Sequence, residues 1–151
     1  MEFRVVNLSG QRLLQPRCNG VRVTWKALFH KTQGIQGAWS GISVALVVCT
    51  GQKMARLNKQ YRGKPTATDV LAFPDSTVDS AGNVRKGSGD ICICPTALRR
   101  RNPKANLAEL LAHRFVHSLL HLHGFLHESD AAAARMEART QLILHAYGRH
   151  H

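Results

Sequence analysis

Apolar and polar positions alternate at the start of the chain, where EFRVVNL reads as a strand of period two. The period then changes. In RVTWKALFHKTQG, Val23, Trp25, Leu28 and Phe29 recur at helical spacing, and the helix should stop near Gly34. GISVALVVCT is a continuous β-branched run, as expected of a strand buried on both faces. GQKMARLNKQYRG returns to a helix with Met54, Leu57 and Tyr61 inward and Lys53, Arg56 and Lys59 outward. DVLAFP and DICICP are strands, separated by the polar, glycine-bearing excursion DSTVDSAGNVRKGSG. The remainder is helical: a short basic TALRRR, a long helix from an Asn106 cap to about His123, and a last helix capped by Ser129 or Asp130 and ending at Gly148. The order β-α-β-α-β-β-α-α-α predicts an α/β fold, with one mixed sheet of about four strands packed with helices.

Length adds that residues 1–151 fit one domain with a real core. No apolar run approaches the ~20 residues that span a bilayer, and MEFRVVNLSG lacks the basic and apolar regions of an export signal. No membrane partner and no dinucleotide cofactor are expected. Charge changes the picture more. Twenty-one Lys and Arg against nine Asp and Glu give a net charge of +12, which favours polyanions. Nucleic acid leads; an anionic membrane surface is second because no long basic amphipathic helix is evident, and a generally basic protein without such a partner is the plain alternative. Cys18, Cys49, Cys92 and Cys94 form no C-x-x-C, so buried thiols in a reducing compartment are expected rather than a disulfide framework.

HRFVHSLLHLHGFLHESD, residues 113–130, holds five of the nine histidines. His117 and His121, four apart, lie on one helix face and can aim two imidazoles at one point. Gly124 lets the chain turn out of the helix, and His127 can swing back as a third ligand. Three nitrogens and a water are how catalytic zinc is held, although other transition metals also suit such a site. His113 extends the series, but from His113 to His121 a helix rises about 12 Å, too far for one ion contacted at ~2.1 Å. His113 is therefore an outer-shell or substrate-side group, and His123 faces elsewhere. The metal site is placed on the penultimate long helix and the loop after it. Metallopeptidases of this spacing carry glutamate after the first histidine. Here Ser118 stands there, and the nearest acids are Glu109 and Glu128, so a phosphodiester suits the chain better than a peptide.

LNKQYRGKPTATDVLAFP (57–74) and GDICIC (89–94), followed by the histidine segment, resemble the YbeY family of ribosomal-RNA maturation endoribonucleases. Its patterns run about as LNxxYRxxDxPTDVLSFP, GDIxIC and HGxLHLxGYDH. The resemblance covers about 40–147 in matching order. It implies a metal-dependent hydrolase of single-stranded RNA that matures small-subunit ribosomal RNA and serves ribosome quality control. Ribosomal RNA, the small subunit and its assembly factors are the implied partners. By motif position the ligands fall on His117, His121 and His127, and the arginine of the YR pair on Arg62, where a planar guanidinium can hold a phosphate bidentately. Arg62, His117 and His121 are the catalytic candidates. Lys64, Arg99 and Arg100 are candidates for the RNA backbone, with Lys53, Arg56, Lys59, Arg101 and Lys104 as further rim charges. Asp69 matches the family's aspartate, as a brace for the Arg62 loop or a plain turn residue.

The chain departs from the pattern at Ser118 for glycine, Leu126 for aspartate, Pro65 and Ala67 for Asp and Pro, and Ala72 for Ser. Two other functions stay open on the sequence: a ribosome-assembly RNA-binding factor whose zinc is mainly structural, and a metallopeptidase. Either a metal-polarised water or an RNA 2′-hydroxyl could attack phosphorus. The expected compartment is a bacterial cytoplasm, or an organelle matrix if a transit segment has been removed. His150 and His151 are left outside the site.

Overall fold

A computed structural model describes residues 1–37, 41–75, 78, 80–83 and 86–147. Gly148, His150, His151 and part of the excursion after Pro74 lie outside the described residues. The sheet contains β1 (Glu2–Asn7), β4 (Ser43–Val48), β5 (Val70–Pro74) and β6 (Gly89–Ile93), in the spatial order β1-β4-β6-β5. β1, β4 and β6 run parallel, and β5 closes one edge antiparallel, with Val70 opposite Ile93 and Pro74 opposite Gly89. The mixed four-stranded sheet matches the expected architecture.

Alternation sorts each central strand between two apolar layers. Ile91 and Ile93 of β6, with Val44, Leu46 and Val48 of β4, enter the larger cluster. There they meet α1 (Trp25–Ile35), α4 (Leu107–Leu122) and α5 (Asp130–His145). Cys92 and Leu71 point the other way and pack with Met54 of α2 (Gly51–Arg62) and Ala97 of α3 (Pro95–Arg101). A sheet covered on both faces explains why β4 reads as an unbroken apolar run. Thr24, Thr50, Asn106 and Ser129 each cap a helix by accepting a backbone N–H three residues on. The last helix thus takes Ser129 as its cap, with Asp130 inside its first turn.

Two expectations change. Tyr61 is 59% exposed, its ring resting against Phe73, and Asn58 is buried on that helix beside Met54, its amide donating to the Thr66 carbonyl at 2.8 Å. A small antiparallel ribbon, β2 (Arg17–Cys18) with β3 (Val21–Arg22), was not foreseen. Its turn is Asn19-Gly20, both at positive φ, the dipeptide that two-residue hairpins favour. The ribbon packs on α4. All four cysteines are free and buried. Among the described residues no helix is long and apolar enough to cross a membrane.

Candidate metal centre

α4 carries the site because its two faces differ. Ala112, Phe115, Val116 and Leu119 are fully buried against the sheet and α1, with Phe115 edge-on to Trp25 at 5.2 Å between ring centroids. His113, Arg114, His117 and His121 share the half-buried opposite side, as residues three and four apart must. The helix ends in a tight return. Gly124 at φ +96° donates its N–H to the His121 carbonyl at 3.0 Å, and Phe125 N–H reaches Leu120 O at 3.0 Å. The chain then turns back and presents His127.

His117, His121 and His127 each bring one ring nitrogen to within 4.8 Å of the others, a grouping that could hold a metal ion. His121 Nδ1 lies 2.9 Å from the Phe125 carbonyl. A carbonyl only accepts, so Nδ1 carries the proton and Nε2 keeps its lone pair for a ligand. Burial, helped by the neighbouring His121 and His113, pushes the His117 pKa down to about 4. Burial also lowers that of His121, against the pull of the Phe125 carbonyl. Neutral, converging imidazoles are the donor set that transition metals take. His117 Nδ1 is buried without a hydrogen-bond partner among the described residues.

His113 stacks on His117 at 5.7 Å but is not in the ligand group. Its Nδ1 accepts from Arg114 at 2.8 Å, so its Nε2 donates to Glu137 of α5 at 3.0 and 3.1 Å. Both ring nitrogens are thereby occupied. His123 turns away, 2.6 Å from Gln33 of α1.

A cavity of about 530 Å³ contains the three histidines together with Arg62, Asp69, Arg114 and Ser118. Arg62 ends α2, and its side chain makes no hydrogen bond or ion pair among the described residues, so its fork is open to a ligand. Lys64, Arg99 and Arg100 do not line this cavity. Arg99 instead donates to the carbonyls of Pro103 and Ala105, closing the α3–α4 loop. Asp69 holds the end of the loop that follows Arg62: its carboxylate accepts from Thr68 Oγ1 at 3.5 Å and pairs with Arg114 Nε at 3.2 Å and Arg101 at 3.5 Å, and Arg101 in turn donates to the Ala67 carbonyl at 3.4 Å. Asp69 is the one carboxylate lining the cavity among the described residues, and it is already paired. Glu109 and Glu128 are both elsewhere. Leu126 is 55% exposed at the rim, so the carbonyl of Phe125, not a carboxylate beside the ligand, orients His121.

Arg114 and Glu137 escaped the sequence reading. Arg114 lies three residues before His117, a spacing that puts both on one helix face and could have flagged it. Glu137 comes from α5 and carries no local signal.

Fold and site together define an α/β protein with a three-histidine candidate metal centre beside an unpaired arginine. A family model described as Endoribonuclease YbeY matches residues 17–148. The chain belongs to the YbeY endoribonuclease family. Similar proteins include the endoribonuclease YbeY of Moorella thermoacetica, 37% identical over 133 residues, which are 83% of this chain and 85% of that one. That of Dinoroseobacter shibae is 35% identical over 119 residues, 70% of this chain and 66% of the relative. The match thus spans just under two thirds of the latter's length. A solution structure of a Thermotoga maritima protein superposes with a TM-score of 0.59 at 21% identity, covering 99% of this chain and 92% of that one, and shows the same fold.

Proposed function

We propose that the chain is a single-domain, metal-dependent endoribonuclease acting on single-stranded RNA in small-subunit ribosomal RNA maturation and ribosome quality control. The observation that carries this reading is the sharing of one cavity by three converging imidazoles and the unpaired Arg62. The net charge of +12 suits a polyanionic substrate. His117, His121 and His127 would hold the ion, which we take to be zinc. When bound, zinc supplies a water acidified toward neutrality and Lewis-acid stabilisation of a phosphoryl oxygen.

The chain's own groups do the rest. Arg62 binds the scissile phosphate in a bidentate fork and stabilises charge growing on its oxygens. Phe125 O fixes the His121 tautomer, while Asp69 and His113 hold Arg114 against the cavity wall. The absence of an unpaired lining carboxylate among the described residues weighs against peptide hydrolysis, which needs a general base. Four free, buried thiols suit a reducing compartment, and we assign the bacterial cytoplasm.

Cleavage of single-stranded and duplex RNA by wild type, His121→Ala and Arg62→Ala proteins tests this. His121→Ala should lose zinc and activity. Arg62→Ala should keep zinc and lose roughly 10²- to 10³-fold in rate, as when one oxyanion donor is removed. Wild-type rates in both folded variants would sink the enzyme. Cyclic phosphate ends would identify the 2′-hydroxyl as nucleophile, and their absence would identify water.

A further inference from the structure

The metal cavity is not isolated. A second cavity of about 340 Å³ shares His113 and Arg114 with it and runs along α4 to Arg17, Asn106 and Glu109. A third, of about 630 Å³, shares Arg17 and Asn106 with the second and adds Arg12, Arg22 and Arg99. The three lie end to end along α4, from its histidines to its N-terminus, with two lining residues in common at each junction. Asn106 and His117 are eleven residues apart, a rise of roughly 16 Å.

At the far end the arginines come from three places: the loop before β2, the Arg17–Arg22 ribbon, and α3. Among the described residues none of the four pairs with a carboxylate; the ion pairs there are those of Asp69 with Arg101 and Arg114, and of His113 with Glu137. Arg17 spends one amino group on the Gly20 carbonyl, and Arg99 spends Nη1 on two carbonyls. Each keeps further N–H donors. Arg12 and Arg22 are exposed and make no side-chain hydrogen bond among the described residues. Glu109 is the one carboxylate lining the middle cavity, and it accepts the Gly20 N–H at 3.3 Å.

We propose that single-stranded RNA runs from the metal cavity along α4 into the basin formed by Arg12, Arg17, Arg22 and Arg99, which grips its phosphates away from the point of cleavage. This rests on the reading of the metal cavity as the place where RNA is cut. A groove that tracks a backbone with positive charge is how single strands are held without sequence preference. Arginine forks match successive phosphates better than ammonium groups do. An acidic protein could also meet four arginines, but it would have no reason to follow a row of cavities that ends at the metal. Arg12 precedes the region matched by the family model, so this grip includes a residue outside the family's shared part.

The test separates gripping from cutting. Binding is measured with the full-length His121→Ala protein, using a long single-stranded RNA and a short one that fills only the metal cavity. Cleavage of both is measured with otherwise wild-type protein. Arg12→Ala/Arg22→Ala should weaken binding of the long RNA and lower its logarithmic salt slope by about 1.4, at about 0.7 per single-strand phosphate contact. Binding and cleavage of the short RNA should stay unchanged. Both arginines are exposed, and an unchanged thermal midpoint confirms the fold; Arg12→Glu alone is the second variant and, with the same charge change of two, should also weaken the long RNA and spare the short one. An unchanged slope overturns the proposal, as does equal loss on long and short RNA. So does polyglutamate that displaces the long RNA as well as a nucleic acid of equal charge. If the long RNA depends on the arginines but wild type cuts neither RNA, the RNA path stands and the nuclease reading falls.

Discussion

Gly124→Ala isolates what the return after α4 does for the metal centre. A Cβ at this position meets nothing closer than the Lys86 side chain at 3.8 Å, so crowding contributes little. The cost lies in the backbone: φ is +96°, and an L-residue held in left-handed space loses about 1–2 kcal/mol. Gly63→Ala is the matched control, at φ +71° at the end of another helix and with nothing within 4 Å of its Cβ. Both variants should lose similar stability, a drop of roughly 2–8 °C in Tm for a chain of this size. They should differ in metal binding. Relaxation at residue 124 swings the Phe125 carbonyl away from His121 Nδ1, now 2.9 Å distant, and moves His127. Loss of such an outer contact weakens metal binding by about 10- to 100-fold, or about 1.4–2.8 kcal/mol. Urea melts of metal-free protein give the first quantity, and zinc competition against a chromophoric chelator gives the second. Equal zinc affinity in the two variants, with equal loss of stability, would refute the role assigned to the turn.

Asp69→Ala should destabilise by about 1–2 kcal/mol, nearly all through Arg114. That pair is 15% and 25% exposed, between the surface and buried limits, whereas Arg101 is 52% exposed and screened. A double-mutant cycle with Arg114→Ala should return a coupling of about 1 kcal/mol; additivity would show the pair to be idle. The cysteines should resist an aromatic disulfide reagent at neutral pH until the protein unfolds. All four are buried, and burial, with Glu109 adding to it, pushes the Cys18 thiol up to about 12; the Cys49 thiol is shifted down by its contact with Cys92 and by Lys53, so its resistance rests on burial alone. One thiol reacting rapidly in the folded protein would contradict this.

Local patterns carried most of the fold, because strand runs, helix periods and caps are properties of neighbouring residues. The ligand grouping was legible for the same reason: His117, His121, Gly124 and His127 fall within eleven consecutive residues, so helix geometry and one turn suffice to relate them. The Asn19-Gly20 turn is an equally local signal, but its flanking strands of two residues each are too short to show a period. Tyr61 and Asn58 exchanged places because burial on α2 follows an amide bond to Thr66, which hydrophobicity does not register. Asp69's arginines, Glu137's hold on His113 and the basin at the far end of α4 depend on segments distant in sequence. Residue type announces none of these. Arg99 shows the limit well: a basic helix end suggested a contact to the RNA backbone, but only the fold shows that it lies beside the N-terminal end of α4 and not in the histidine cavity.

The compactness of the histidine segment has a consequence for how this protein can fail. Closing the short stretch between His121 and His127 costs little chain entropy, and among the described residues no other segment supplies a member of the ligand group. Arg62 reaches the same cavity only because α2, β5 and the sheet are correctly assembled around it. Capturing an ion and positioning a phosphate are therefore separable traits with different tolerances to damage. Lesions confined to α2, which carries Arg62 and none of the histidines, should leave protein that still takes up metal but cuts poorly, so metal content alone is an insufficient measure of intact enzyme.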